Sequence, residues 1–241
     1  MTYRTPMQEE RRKRIALLGI MAFASIMLWQ NPWGSILLYP FTILATWFHE
    51  MGHGLMAMAV GYDFQKLEIY PNGSGVAFSL VPYDSGRIAA ALVAAGGPLG
   101  PPLAGAAMIV ASRRAETTRW ALLMLAATLL LSTLIWVRSW TGWLVLPPIG
   151  LIILAIALRA NTHRQKLALQ VLGVQASISI YLHFSYLFSS GGRIGGVPQR
   201  SDTQAIADVL WLPYWFWGAA ITVGVAALLW RSFRYAFDMG R

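Results

Sequence analysis

The chain has 241 residues, 56% hydrophobic and only 12% charged, with 11 tryptophans and a mean hydropathy of +0.52. That balance excludes an ordinary soluble domain and a disordered chain, and reads as a polytopic helical membrane protein. The formal charge of +9 does not mark a nucleic-acid face, because the basic residues cluster at the ends of apolar runs, where they meet lipid headgroups.

Residues 1–14 read as a basic tail ending in Arg11-Arg12-Lys13-Arg14. The apolar run 15–29 is short for a span. Gln30-Asn31-Pro32-Trp33 follows it instead of a small-x-small cleavage site, so it reads as an uncleaved first span. A second run, 36–60, closes near Gly61. Residues 62–81 are the least helical part of the chain. Leu67 and Ile69 alternate with Lys66, Glu68 and Tyr70, Pro71-Asn72-Gly73-Ser74-Gly75 makes a turn, and Val76, Phe78 and Leu80 alternate with Ala77 and Ser79. This is a β-hairpin pattern, solvated or functional alike, set against a membrane helix.

A third run, 88–111, contains Ala95-Gly96-Gly97-Pro98-Leu99-Gly100-Pro101-Pro102. Its prolines remove backbone donors and its glycines allow close helix approach, which fits a kinked span or a re-entrant loop. Further spans are expected at 120–137, 143–158 and 167–188. A Gly-rich loop, 189–200, then precedes a last span, 203–230, and a tail, 232–241. The expected fold is an all-α polytopic membrane protein. Residues 1–241 form one domain of about seven transmembrane helices, with a small β-hairpin after the second. With no cysteine, disulfides and thiolate metal sites are excluded.

The second run holds the chemistry: His49-Glu50-Met51-Gly52-His53. On a helix, residues four apart share a face, so His49 and His53 can offer two imidazoles to one metal ion. Glu50 lies beside them and can take a proton from water there. Zinc suits two neutral nitrogens, a carboxylate and water. Two histidines and a glutamate in so apolar a run would be costly without such a partner.

A third protein ligand is needed, and the chain has ten acidic residues. Glu9, Glu10 and Asp238 lie in tails, Asp63, Glu68 and Asp84 near the hairpin, and Glu116 among arginines. Asp202 and Asp208 remain, pointing to different faces of one helix, with His183 as a further candidate. Depth alone favours Asp208, because Asp202 opens its span and reaches His53 only if the Gly-rich loop dips inward.

The His-Glu-x-x-His span, the hairpin and the Gly-Pro-rich run together resemble the site-2 protease family of intramembrane zinc metalloproteases. Residues 95–105 (AGGPLGPPLAG) and Ser201-Asp202-Thr203, with Ile206-Ala207 and Pro213 behind, resemble its bacterial branch. The resemblance implies that His49, His53 and Asp202 bind zinc and Glu50 is the catalytic base. It further implies cleavage of a membrane-embedded peptide by a zinc-activated water, in a bacterial plasma membrane. It puts the hairpin on the cytosolic side, an orientation that the nearly even split of Lys and Arg between the two sides does not decide. The partners implied are a membrane-protein or peptide substrate, the lipid bilayer and membrane-protein subunits, with no nucleic acid. A strand edge, at positions such as Val76 or Phe78, would hold the substrate extended. Two other readings are a catalytically silent membrane subunit and a metal-handling protein. Intact Glu50 argues against the first, and strongly apolar spans against the second.

Overall fold

The computed structural model describes residues 6–182 and 184–237. His183, one of the third-ligand candidates, lies outside them, as do the two ends of the chain. Helix α1 (Pro6–Trp29) takes up both the basic cluster and the first apolar run. Asn31 then caps a short α2 (Pro32–Leu37): its side chain accepts from the Gly34 N–H at 2.8 Å, with Pro32 at the first helical position. Helix α3 (Tyr39–Ala59) carries the His-Glu-x-x-His motif, and Gly61 follows with φ +86°, a left-handed turn suited to glycine.

Strands β1 (Asp63–Ile69) and β2 (Gly75–Leu80) pair antiparallel, from Asp63↔Leu80 to Ile69↔Gly75. The hairpin falls where the sequence places it, but α2 makes it follow the third helix, later than expected. It lies back along α3. Tyr39 donates to the Pro71 carbonyl at 2.9 Å, and Thr46 to the Gly73 carbonyl at 2.5 Å. Leu67 and Ile69 are buried in a core with Ile43 and Trp47.

Helices α4 (Arg87–Ala111), α5 (Ala115–Ile135), α6 (Trp140–Arg159) and α7 (Thr162–Leu182) follow. Helix α4 is continuous through Pro98, Pro101 and Pro102 rather than re-entrant, and packs on both α3 and α7. Small residues permit this. A Cβ on Gly96 would lie 2.5 Å from the Gly52 carbonyl, and one on Gly105 would lie 2.6 Å from the Gly173 carbonyl.

The Gly-rich loop expected at 189–200 is a second hairpin. After α8 (Phe184–Leu187), β3 (Gly191–Ile194) and β4 (Val197–Arg200) pair with Ile194 opposite Val197. Gly195 and Gly196, at φ +57° and +82°, make its two-residue turn. The single last span is also broken. Helix α9 (Asp202–Val209) is separate from α10 (Tyr214–Phe237), because Pro213 has no N–H and disfavours helix in the residue before it. Ile206 of α9 and Ile221 of α10 both pack on Ala91 and Ala94 of α4.

Among the described residues, α4, α5, α6 and α10 are long and apolar enough to cross a membrane, four helices against the roughly seven expected. The others fall short for physical reasons. The apolar part of α1 is only Ile15–Trp29. Helix α3 carries the motif, and α7 carries the buried amides Gln165, Gln170 and Gln175. Large side chains such as Trp120, Leu134, Leu151 and Val223 stay exposed on α5, α6 and α10, a surface suited to lipid.

Candidate metal centre

The four-residue spacing on α3 brings the rings of His49 and His53 to 4.9 Å between centroids, nearly perpendicular at 77°. Their Nε2 atoms are 3.2 Å apart. Asp202 meets both: Oδ2 lies 3.1 Å from His49 Nε2, and Oδ1 lies 3.2 Å from His53 Nε2. One potential ligand atom from each of these three side chains falls within a 4.8 Å cluster.

Asp202 arrives there because its neighbours anchor the chain. Ser201 is fully buried, donates to the Ser189 carbonyl at 2.6 Å, and caps α9 by accepting from Gln204 N–H at 3.1 Å. Thr203, equally buried, donates to the Leu187 carbonyl at 2.8 Å. Capping is thus done by Ser201, which leaves the Asp202 carboxylate to face the imidazoles. Asp202 reaches the histidines although it opens its helix, and the 191–200 hairpin before it turns with Gly195 against the Tyr70 ring. Asp208 instead pairs with Arg200 and accepts from Gln204 Nε2 at 2.7 Å. Arg138 donates to the carbonyls of Leu134, Ile135 and Val137 and so does not serve Asp208.

The donor chemistry fits a cation. His53 Nδ1 lies 2.8 Å from the Val93 carbonyl, which can only accept, so Nδ1 carries the hydrogen. A neutral His53 then turns the lone pair of Nε2 toward His49 and Asp202. Asp202 Oδ2 is buried and, among the described residues, receives no well-aligned hydrogen bond, although His49 Nε2 is close. Two imidazole nitrogens and a carboxylate thus converge, a group that could hold a metal ion.

Glycine makes room for this cluster. A Cβ on Gly97 of α4 would overlap the His53 ring and lie 2.7 Å from His49 Nε2. A Cβ on Gly75 of β2 would lie 2.8 Å from Glu50 Cγ. Glu50 is buried, with β2 running close past its side chain at Gly75. A cavity of about 530 Å³ holds His49, Glu50, His53 and Asp202, walled by β2 and by the β3–β4 hairpin.

Strand β2 presents a free edge to that cavity. The Leu67 N–H donates to the Trp136 carbonyl and the Leu67 carbonyl accepts from Arg138 N–H, both at 2.9 Å. Leu67 therefore points away from β2, and its partner Ala77 sits in a non-hydrogen-bonded pair with N–H and C=O turned outward. Gly75 and Ser79, two residues either side, share that orientation. Val76 and Phe78 face β1, so they are not the edge positions expected. Ala77 and Tyr186, another lining residue, carried no sequence signal, whereas the Gly195-Gly196 turn did.

A family model, Peptidase M50B-like, matches residues 17–232. The chain belongs to the Peptidase M50B-like family. This is a site-2 protease family, so membership and the four apolar helices together make the chain an integral membrane protein of metalloprotease type. No curated protein and no solved structure matches it.

Proposed function

We propose that this protein is an intramembrane zinc endopeptidase that hydrolyses a peptide bond of a membrane-embedded substrate. The observation that carries the reading is the convergence of His49 Nε2, His53 Nε2 and the Asp202 carboxylate, with His53 Nδ1 tied to the Val93 carbonyl. His49, His53 and Asp202 would hold zinc. Zinc, when bound, supplies Lewis acidity toward water and the scissile carbonyl.

Everything else falls to the chain's own side chains and backbone. Glu50 is the general base, taking the proton of the attacking water and returning it to the leaving amine. Strand β2 confines Glu50, whose side chain packs against its backbone at Gly75. The outward N–H and C=O groups of Gly75 and Ser79 receive the substrate as an added strand, which keeps its scissile bond extended beside Glu50. An extended segment exposes the amide that a helix would bury, so strand addition prepares the bond for attack as well as binding it.

The likeness to the bacterial branch supports a bacterial plasma membrane, with membrane-protein substrates and room for partner subunits. The test is cleavage of a single-span peptide in lipid bilayers. Wild type should give internal cuts by mass spectrometry and Glu50→Gln none. Equal cleavage by both proteins contradicts the mechanism.

A further inference from the structure

The β3–β4 hairpin is fastened at both of its ends. At the base, the Ser201 N–H donates to the Ser190 carbonyl at 3.2 Å and the Tyr186 hydroxyl to the Arg200 carbonyl at 2.7 Å. Asp202 follows directly, held at the two histidines. At the tip, Gly195 rests on the Tyr70 ring so closely that a Cβ there would lie 2.6 Å from Cζ. Tyr70 is itself held at the turn end of the β1–β2 hairpin. Its N–H donates to the Ser74 carbonyl at 2.8 Å, and its hydroxyl to Glu68 at 3.1 Å.

Between base and tip there is little to hold the hairpin. Among the described residues, none of 191–200 joins a buried hydrophobic cluster, and all four residues of β4 are exposed. An element with so few buried apolar contacts opens at low cost. It is also in the way. Gly192, Ile194 and Gln199 line the same cavity as Gly75, Ala77 and Ser79 of β2. A peptide paired with β2 lies about 4.8 Å from that strand, in the space that the second hairpin walls.

A membrane-embedded substrate brings no free end to this cavity. An internal segment must arrive sideways, and a strap fastened at both ends bars that route. The base cannot yield without carrying Asp202 away from the histidines. The tip can, because it rests on an aromatic ring and its release opens no hydrophobic core.

We propose that the β3–β4 hairpin is a strap that lifts from Tyr70 to admit a peptide to the edge of β2 and then closes over it. The contact of Gly195 with Tyr70 is its latch. The proposal rests on the peptidase reading and adds a gate to it, apart from the metal ligands and the base.

The chain has no cysteine, so the latch can be tied chemically. Tyr70→Cys and Gly195→Cys are combined in Glu50→Gln protein, where loss of the ring leaves room for the new side chain, and are joined by a reversible bis-methanethiosulfonate reagent. The probe is a labelled single-span Leu/Ala peptide with a central Gly-Ser pair, in nanodiscs. Cross-linked protein should keep its zinc and bind the peptide at least about 10-fold more slowly, with reductant restoring the rate. Tyr70→Ala in the same Glu50→Gln protein frees the tip without touching the strap, and should bind about 3-fold faster than its parent. Equal rates before and after cross-linking overturn the proposal, as does a pair that forms no cross-link. So does a Tyr70→Ala protein no faster than its parent, or a parent that binds no peptide. Loss of zinc on cross-linking overturns it too, since the tip would then belong to the metal centre. Failure of the peptidase reading shows separately, as wild-type protein that binds the peptide and never cuts it.

Discussion

The Val93 carbonyl and His53 Nδ1 lie 2.8 Å apart, so the backbone of α4 decides which nitrogen of His53 faces Asp202. This contact links helix packing to metal chemistry. Helix α4 can come so close because Gly52, Gly96 and Gly100 leave no side chain between it and α3. A shift of α4 would move Val93 and release the ring.

Gly97→Ala tests that dependence. The added methyl would overlap the His53 ring and crowd His49 Nε2, while Ala favours a helix over Gly by about 1 kcal/mol. Zinc affinity should fall at least 10- to 100-fold, the scale for a misplaced ligand shell, with the helical fold kept. Competition with a chromogenic chelator measures it, and unchanged affinity would show that the packing does not set the site.

Glu50→Gln keeps the shape of the side chain but cannot accept a proton. Cleavage should drop by about 10²-fold or more, with zinc content equal to wild type. Loss of zinc together with activity would mean that Glu50 supports the site rather than acting on water.

The edge of β2 gives a positional prediction. Ser79→Pro removes an outward N–H that no strand uses, so the fold should survive while cleavage of the single-span peptide falls severalfold. Phe78→Pro removes a donor that faces β1, opposite Lys66, and should cost about 1 kcal/mol or more of stability. Thermal melting and peptide cleavage on the two variants separate the roles. Equal cleavage by Ser79→Pro and wild type would rule out strand addition at that position.

Some of this was legible because local periodicity decides it. The spacing of His49 and His53 fixes a shared helix face without any tertiary context. The alternation around Pro71–Gly75 similarly fixes β1 and β2, and the glycines of residues 95–105 announced a close approach. What sequence could not supply was the relation between distant segments. Edge and ladder positions of β2 follow from Leu67 bonding to residues 136 and 138, a tertiary fact. Asp202 reaches the histidines because Ser201 and Thr203 are tied to the 187–189 carbonyls, which no periodicity encodes. The β3–β4 hairpin lay between these cases: two glycines between Ile194 and Val197 are a hairpin turn, but four-residue strands leave little alternation to read. The break at Pro213 has a local cause as well, a proline within an apolar run that otherwise reads as one span.

The central claim is that Asp202, and not Asp208, completes a zinc site with His49 and His53, and metal analysis of purified variants tests it most directly. Wild type and Asp208→Ala should each carry one equivalent of zinc, because Asp208 is engaged with Arg200 and Gln204 instead. His49→Ala and Asp202→Ala should lose most of it, since each opens a coordination position. Full zinc in Asp202→Ala with loss in Asp208→Ala would contradict the account and move the third ligand six residues along the chain.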